Sequence, residues 1–179
     1  MTAPMSLSSV SDVTKLEGYC RSMFKKNGSI VGNTREQPVS GEFVIPPSSL
    51  NALVDNLRPL LDQDVLERED HEYAEIQAAS VRACSDEFSR DINGRRALVV
   101  NSGCVSYQHF FFREGVLFHV VHMRSQDIRK LLADFWLLFT IQRAIVAGCL
   151  PEGVVVKAVN LRWTADCFHS YLKPEEVAL

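Results

Sequence analysis

Residues 95–127, RRALVVNSGCVSYQHFFFREGVLFHVVHMRSQD, decide how the chain folds. Three strands follow one another here, at 97–101, 105–112 and 116–123, each an apolar or alternating run of the length a sheet uses. Arg113-Glu114-Gly115 has the chemistry of a tight hairpin turn, so the last two strands pair antiparallel. Cys104 stands just after Asn-Ser-Gly, where the chain must turn between the first two strands. Arg95-Arg96 opens the stretch and Arg124-Ser125-Gln126-Asp127 closes it. Cations for a phosphate, a thiol for an electron-poor carbon and polar groups for a base or sugar outline a nucleotide site.

On the N-terminal side, Val13, Leu16, Tyr19, Cys20, Met23 and Phe24 recur at helical spacing from Asp12 to Gly28. The segment GNTREQPVSG that follows reads as a loop carrying Arg35, and Glu42–Ile45 as a short strand stopped by Pro46-Pro47. Ser48-Ser49 opens a second helix through Leu61, with Pro59 kinking or ending it early. Asp62 to Glu72 reads as an acidic, solvated connector and Tyr73 to Phe88 as a third helix. On the C-terminal side, Ile128 to Ala147 is a nearly all-apolar helix ended by Gly148, and Val154–Leu161 is a further strand. The expected class is α/β (α+β): a mixed sheet with flanking, buried helices. Residues 1–11 read as a mobile N-terminus and residues 12–179 as a single domain.

At 179 residues the chain is long enough to bury one core without disulfides or metals. A net charge of −3 argues against nucleic acid as a partner, since duplex binding needs a broad basic surface. Cys20, Cys84, Cys104, Cys149 and Cys167 are odd in number, widely spaced and without a CxxC pair, as expected of reduced cytoplasmic thiols. The start, MTAPMSLSSVSD, lacks the basic and apolar segments of a secretory signal. Asp134 and Arg143 interrupt the most apolar run, Leu131 to Leu150, which therefore reads as a buried helix and not a membrane span.

Taken together, RRALVV, the C-x-x-x-x-x-F-F-x-R-[ED]-G pattern of Cys104–Gly115, the HMRSQD of His122–Asp127, and Trp163-Thr164 followed by His169-x-Tyr171 resemble the thymidylate synthase family, including its pyrimidine hydroxymethylase branch. The likeness covers residues 95–171 by motif and residues 12–61 by element order. It implies a thymidylate synthase-like fold whose sheet also joins two copies into a homodimer. It implies C5 methylation or hydroxymethylation of a pyrimidine nucleoside 5′-monophosphate (dUMP, dCMP or CMP), with 5,10-methylenetetrahydrofolate as cofactor. Residue by residue, it implies that Cys104 adds as a thiolate to C6 of the base. Arg124 and Ser125 would hold the 5′-phosphate, Arg95 and Arg96 would reach the phosphate bound by the other subunit, and Arg35 is a further phosphate candidate. Asp127 would fix the base, and His169 and Tyr171 the sugar 3′-hydroxyl. The thiol is chemically required because C5 is a poor nucleophile until an adduct at C6 makes it enolate-like.

Four departures accompany the likeness. The family's second-helix glutamate, which manages protons around the base, is absent, with Asn56 near its place. Val105 stands where the family has histidine after the cysteine, and His109, with Gln108 adjacent, where it has glutamine. The base-reading segment is reduced to KLLADF; allowing one deletion, Asp134 falls on the position that reads the pyrimidine edge and would accept from a cytosine amino group, whereas without it Phe135 falls there. The tryptophan-bearing folate wall is not recognisable. A non-catalytic homologue that keeps the nucleotide pocket and the dimer is the alternative reading. Arg113 and Arg129 read as solvated charges, His119 and His122 as structural, and Phe110–Phe112 as core.

Overall fold

Alternation along the 105–127 hairpin builds the sheet. Glu114 and Gly115 both take positive φ, 52° and 85°, the left-handed pair that lets two strands reverse with matching twist. The computed structural model describes residues 4–27, 29–31, 34–101 and 103–171, with the side chains of 23–37 and 171 outside the described set. Its strands are β1 (Met5–Ser6), β2 (Ser29–Val31), β3 (Thr34–Ile45), β4 (Ala97–Val100), β5 (Val105–Arg113), β6 (Val116–Asp127) and β7 (Ala158–Tyr171). They are ordered β1-β3-β7-β6-β5-β4, with β2 also pairing β3. The sheet is mixed: β1–β3 and β6–β7 run parallel, the other pairs antiparallel. Helices α1 (Val10–Asn27), α2 (Leu50–Leu57), α3 (Gln63–Phe88) and α4 (Leu131–Gly148) complete the fold. The expected α+β class with a mixed sheet is the observed one.

The structure corrects several boundaries. The segment expected as a loop around Arg35 is the first half of β3, paired with β7 through a register shift between Gln37 and Val39. Pro38 sits in that irregularity, where its missing N–H costs little. β7 extends to Tyr171, so the WTADCFHSY segment is strand throughout. The acidic stretch 62–72 is not a connector: Asp62 accepts from the Asp64 N–H at 3.0 Å and caps α3, which then continues unbroken to Phe88. Residues 5–7, expected to be mobile, are tied down, with Met5 and Ser6 paired to Phe43 and Val44 and Leu7 fully buried. Pro59 does end the second helix, which passes into a 3-10 turn at Arg58–Leu60.

The core lies between the helices and one sheet face. Phe43, Phe135, Phe139, Trp163 and Phe168 pack ring against ring at its centre. α4 with the 3-10 turn before it, Ile128–Gly148, is long and apolar enough to cross a membrane, but most of its residues are buried inside the protein.

A polar chain crosses this core. His119 bonds to Gln108 Oε1 at 2.9 Å through Nε2 and accepts from Gln142 Nε2 at 3.0 Å through Nδ1, while Gln108 Nε2 donates to Ser80 Oγ. Complete burial pushes the His119 pKa down to about 3, so the ring is neutral in the fold. An unfolded histidine takes up a proton below about pH 6.5 that the folded one refuses until about pH 3. This contribution is therefore fully present above pH 6.5 and is lost as pH falls. His119→Gln is expected to remove about 2 kcal/mol of the stability difference between about pH 7 and pH 5, read from urea midpoints at the two pH values.

Candidate active site

Cys104 sits in the turn from β4 to β5, where Asn101 N–H donates to Ser106 O at 3.0 Å and closes the loop. The Arg124 N–H donates to Cys104 O at 2.9 Å, tying this turn to the end of β6. Ser125 Oγ donates to Cys104 Sγ at 3.6 Å, so the thiol is half-buried with a hydroxyl against it. A β-bulge makes this possible: the β5–β6 register shifts between Val105 and Tyr107. Strict alternation breaks just beyond it, leaving Arg124 exposed, Ser125 half-buried and Gln126 buried.

α3 supplies the opposite wall. The Glu72 carboxylate lies directly over Gly103, where a Cβ would stand 2.1 Å from Glu72 Oε1. Only glycine lets the carboxylate come this close to the backbone before the thiol. One turn earlier, Glu69 Oε2 pairs with Lys130 Nζ at 2.9 Å and Glu69 Oε1 with Arg68 Nε at 3.0 Å. Burial pushes the Glu69 carboxyl up, but hydrogen bonds from Lys130 and Arg68 outweigh it and bring its pKa below the usual range.

Deeper in the same corner, Tyr73 Oη donates to Asp134 Oδ1 and Gln126 Nε2 donates to Asp134 Oδ2 at 2.6 Å. Asp134 is 4% exposed, and burial pushes its pKa up to about 6 despite Lys130 and these two donors. Gln126 Oε1 is a buried acceptor beside it with no partner among the described residues. Asp127 is engaged with its neighbour: it accepts from the Arg129 N–H at 2.9 Å and from Arg129 Nε at 3.0 Å. Burial raises the Asp127 carboxyl, but Arg129 outweighs it and holds the pKa down, with a contribution from His169, its partner in register on β7.

The expected residues thus fall into two groups. Cys104, Arg124, Ser125, Asp127, Asp134 and His169 gather at the end of β6 and the start of α4. Arg95 and Arg96 lie at the other end of β4, about 13 Å of strand from the Cys104 turn. There they line a cavity of about 430 Å³ with Glu87, Arg90 and Asp91. Arg95 O bonds to His109 Nε2 and the Arg96 N–H to Glu87 Oε1. Within one chain they do not meet the thiol. Arg35 and Tyr171 are placed on paired strands, but their side chains lie outside the described residues.

No family of known sequences matches the chain, and no curated protein matches it by sequence. Solved structures do. A thymidylate synthase from T4 phage superimposes with a TM-score of 0.56 at 13% identity, over 92% of this chain and 78% of that one. The thermostable thymidylate synthase A of Bacillus subtilis gives 0.55 at 12% identity, over 89% and 79%. The fold is thymidylate synthase-like.

Within this thymidylate synthase-like fold, Glu69, Glu72, Tyr73 and Lys130 stand at this corner and were not among the residues expected there. The signal was present in α3. Val65, Glu69, Tyr73, Ile76, Ser80, Cys84 and Phe88 form its buried stripe, and a glutamate on an apolar stripe needs a buried partner. Reading 62–72 as a connector hid that stripe. Nothing in the local sequence marks Lys130, whose partner is contributed by a different helix.

Proposed function

We propose that the chain transfers a one-carbon unit, as methyl or hydroxymethyl, to C5 of a pyrimidine nucleoside 5′-monophosphate through a covalent adduct of Cys104 at C6. The observation that carries this reading is the corner itself, with a half-buried thiol against Ser125 Oγ and the Glu72 carboxylate over the adjoining glycine. Thiolate addition at C6 moves the 5,6 π electrons toward the C4 oxygen, and C5 then attacks the one-carbon donor, whose leaving group departs with the bonding pair. A formaldehyde-level donor gives hydroxymethyl on addition of water, and methyl requires a hydride besides or a donor already at the methyl level. Loss of the C5 proton to a base and expulsion of the thiolate restore the double bond. Glu72 is assigned the C5 proton, taking the part of the carboxylate missing from α2. Arg124 and Ser125 serve the phosphate, Asp127 and Asp134 the base, and His169 and Tyr171 the sugar.

The donor is a second substrate. Methylenetetrahydrofolate would need an aromatic wall, but Trp136 Nε1 donates to Val54 O and Trp163 is 1% exposed in the core. The tryptophans do not fit that part.

A phosphate site at Arg124 predicts that a pyrimidine nucleoside monophosphate binds at least about tenfold tighter than the nucleoside, and that Arg124→Ala removes most of the difference in calorimetric titration. Equal affinity for both would overturn the assignment.

Arg95 and Arg96 reach a phosphate only across a subunit boundary. The sheet face away from the helices carries exposed Leu98 and Val100 and the stacked Phe111–Phe118 pair, an apolar surface suited to a second copy. Sedimentation is expected to give a dimer of the 20.1 kDa chain. Mixed Cys104→Ala and Arg96→Ala chains are expected to recover activity that neither has alone. A monomer at micromolar concentration would remove the role given to Arg95 and Arg96.

One observation weighs against Asp134 as the reader of the base. Both Asp134 oxygens are already satisfied by Tyr73 and Gln126, so a base reaches Asp134 only by displacing one of them.

A further inference from the structure

Gln126 takes the last buried position of β6, 1% exposed, one residue beyond the serine that touches Cys104 Sγ. An amide nitrogen carries two hydrogens, and here both are used. Nε2 donates to Asp134 Oδ2 at 2.6 Å and to the Asp127 carbonyl oxygen at 3.1 Å. Both partners accept, so turning the amide over would set Oε1 against two acceptor oxygens. The orientation is therefore fixed, and Oε1 is the end left over.

Oε1 is buried and has no hydrogen-bond partner among the described residues. Folded proteins pair nearly all such acceptors, because an unpaired one gives up its bonds to water and gains nothing in return. Gln142 Oε1 and Asn160 Oδ1 share this condition, but Gln142 belongs to the His119 chain and Asn160 pairs with Glu42. Of the three, Gln126 alone adjoins a residue that touches Cys104. The donors nearby are engaged elsewhere: Tyr73 Oη with Asp134 Oδ1, Lys130 Nζ with Glu69, and Arg129 with Asp127.

We propose that Gln126 reads the base, its Oε1 accepting from the exocyclic amino group of a cytosine nucleotide, with Asp134 as a positioning residue that holds the amide so that its oxygen is kept for the substrate. Uracil presents a carbonyl oxygen where cytosine presents the amino group, and so sets an acceptor against an acceptor. Oε1 is closed to solvent in the ligand-free chain; the base enters as this corner opens and supplies the donor that the fold lacks. The proposal rests on the reading of the corner as a pyrimidine nucleotide site.

The test is calorimetric titration with dCMP and dUMP, without a one-carbon donor, at a pH above about 6, where Asp134 is ionised. The chain is expected to bind dCMP at least about tenfold tighter than dUMP. Gln126→Met, which keeps the length and removes the amide, is expected to abolish that preference, mainly by weakening dCMP. If Asp134 itself read the amino group, the same change would free Oδ2 for it and widen the preference. Asp134→Asn is expected to reverse the preference, since its amide can donate to Gln126 Oε1, so that the Gln126 amide turns and offers Nε2 to the uracil carbonyl. In Gln126→Met/Asp134→Asn the reversal should vanish. This double variant buries no carboxylate without its donor, and it decides the matter if Gln126→Met fails to fold. Equal affinities in the unaltered chain, a preference that persists or widens in Gln126→Met, or a reversal that survives in the double variant would overturn the proposal. Nucleotides that bind with the expected preference yet never attach to Cys104 would sink the transfer reading and leave this one standing, whereas equal binding with adduct formation intact would sink this one alone.

Discussion

A 5-fluoro-substituted dUMP or dCMP, offered together with methylenetetrahydrofolate as one-carbon donor, is expected to become covalently attached to Cys104, visible as a mass increase of nucleotide plus donor on that peptide. Fluorine blocks the loss of the C5 proton, so elimination of the thiolate stalls and the adduct persists. Cys104→Ser should abolish the adduct and lower C5 transfer by about 10⁴-fold or more, because the replacement hydroxyl is a poor nucleophile without a base to ionise it. The base that reacts also reports on Asp134. An ionised carboxylate beside the Gln126 Oε1 acceptor complements the amino group of cytosine, so the cytidine analogue should react faster above about pH 6, where Asp134 loses its proton. As pH falls through that value the carboxyl becomes neutral and the preference should fade. An unreactive Cys104 with intact nucleotide binding would leave the non-catalytic homologue standing.

The second large effect belongs to Glu72. Glu72→Gln keeps the shape of the side chain and removes the base, so turnover should fall by about 10²–10⁴-fold while nucleotide affinity changes little. The direct readout is exchange of the C5 proton with solvent, which the variant should lose while Cys104 still forms the fluoro-nucleotide adduct. Gly103→Ala should act in the same direction, since its Cβ would stand 2.1 Å from Glu72 Oε1 and push the carboxylate away. Retained proton exchange in Glu72→Gln would remove Glu72 from the chemistry and turn attention to Glu69 or Asp134, the neighbouring carboxylates.

The chain's local patterns were enough for the hairpin and for the order of most elements. Side chains alternate along a strand whatever lies beside it, a Glu-Gly pair reverses a hairpin, Pro59 ends a helix and Gly148 stops another; each is settled within a few residues. The placement of Arg124 and Ser125 beside Cys104 was legible for the same reason, because a hairpin fixes which of its ends meet. Tertiary structure decided what depends on distant partners. Residues 62–72 look solvated by composition but continue α3, since burial of Val65, Glu69 and Tyr73 against α4 and its leading turn favours helix over a charged connector. Residues 34–41 look like a loop but pair with β7, since strand ladders are made by a segment more than a hundred residues away. Glu72 meets Gly103 beside the thiol-bearing turn, and Glu69 meets Lys130, from elements that are separate in sequence, whereas Arg95 and Arg96 are carried away by the length of β4. Electrostatics acts through space, so the charges around a nucleophile become readable only once the chain has folded them together.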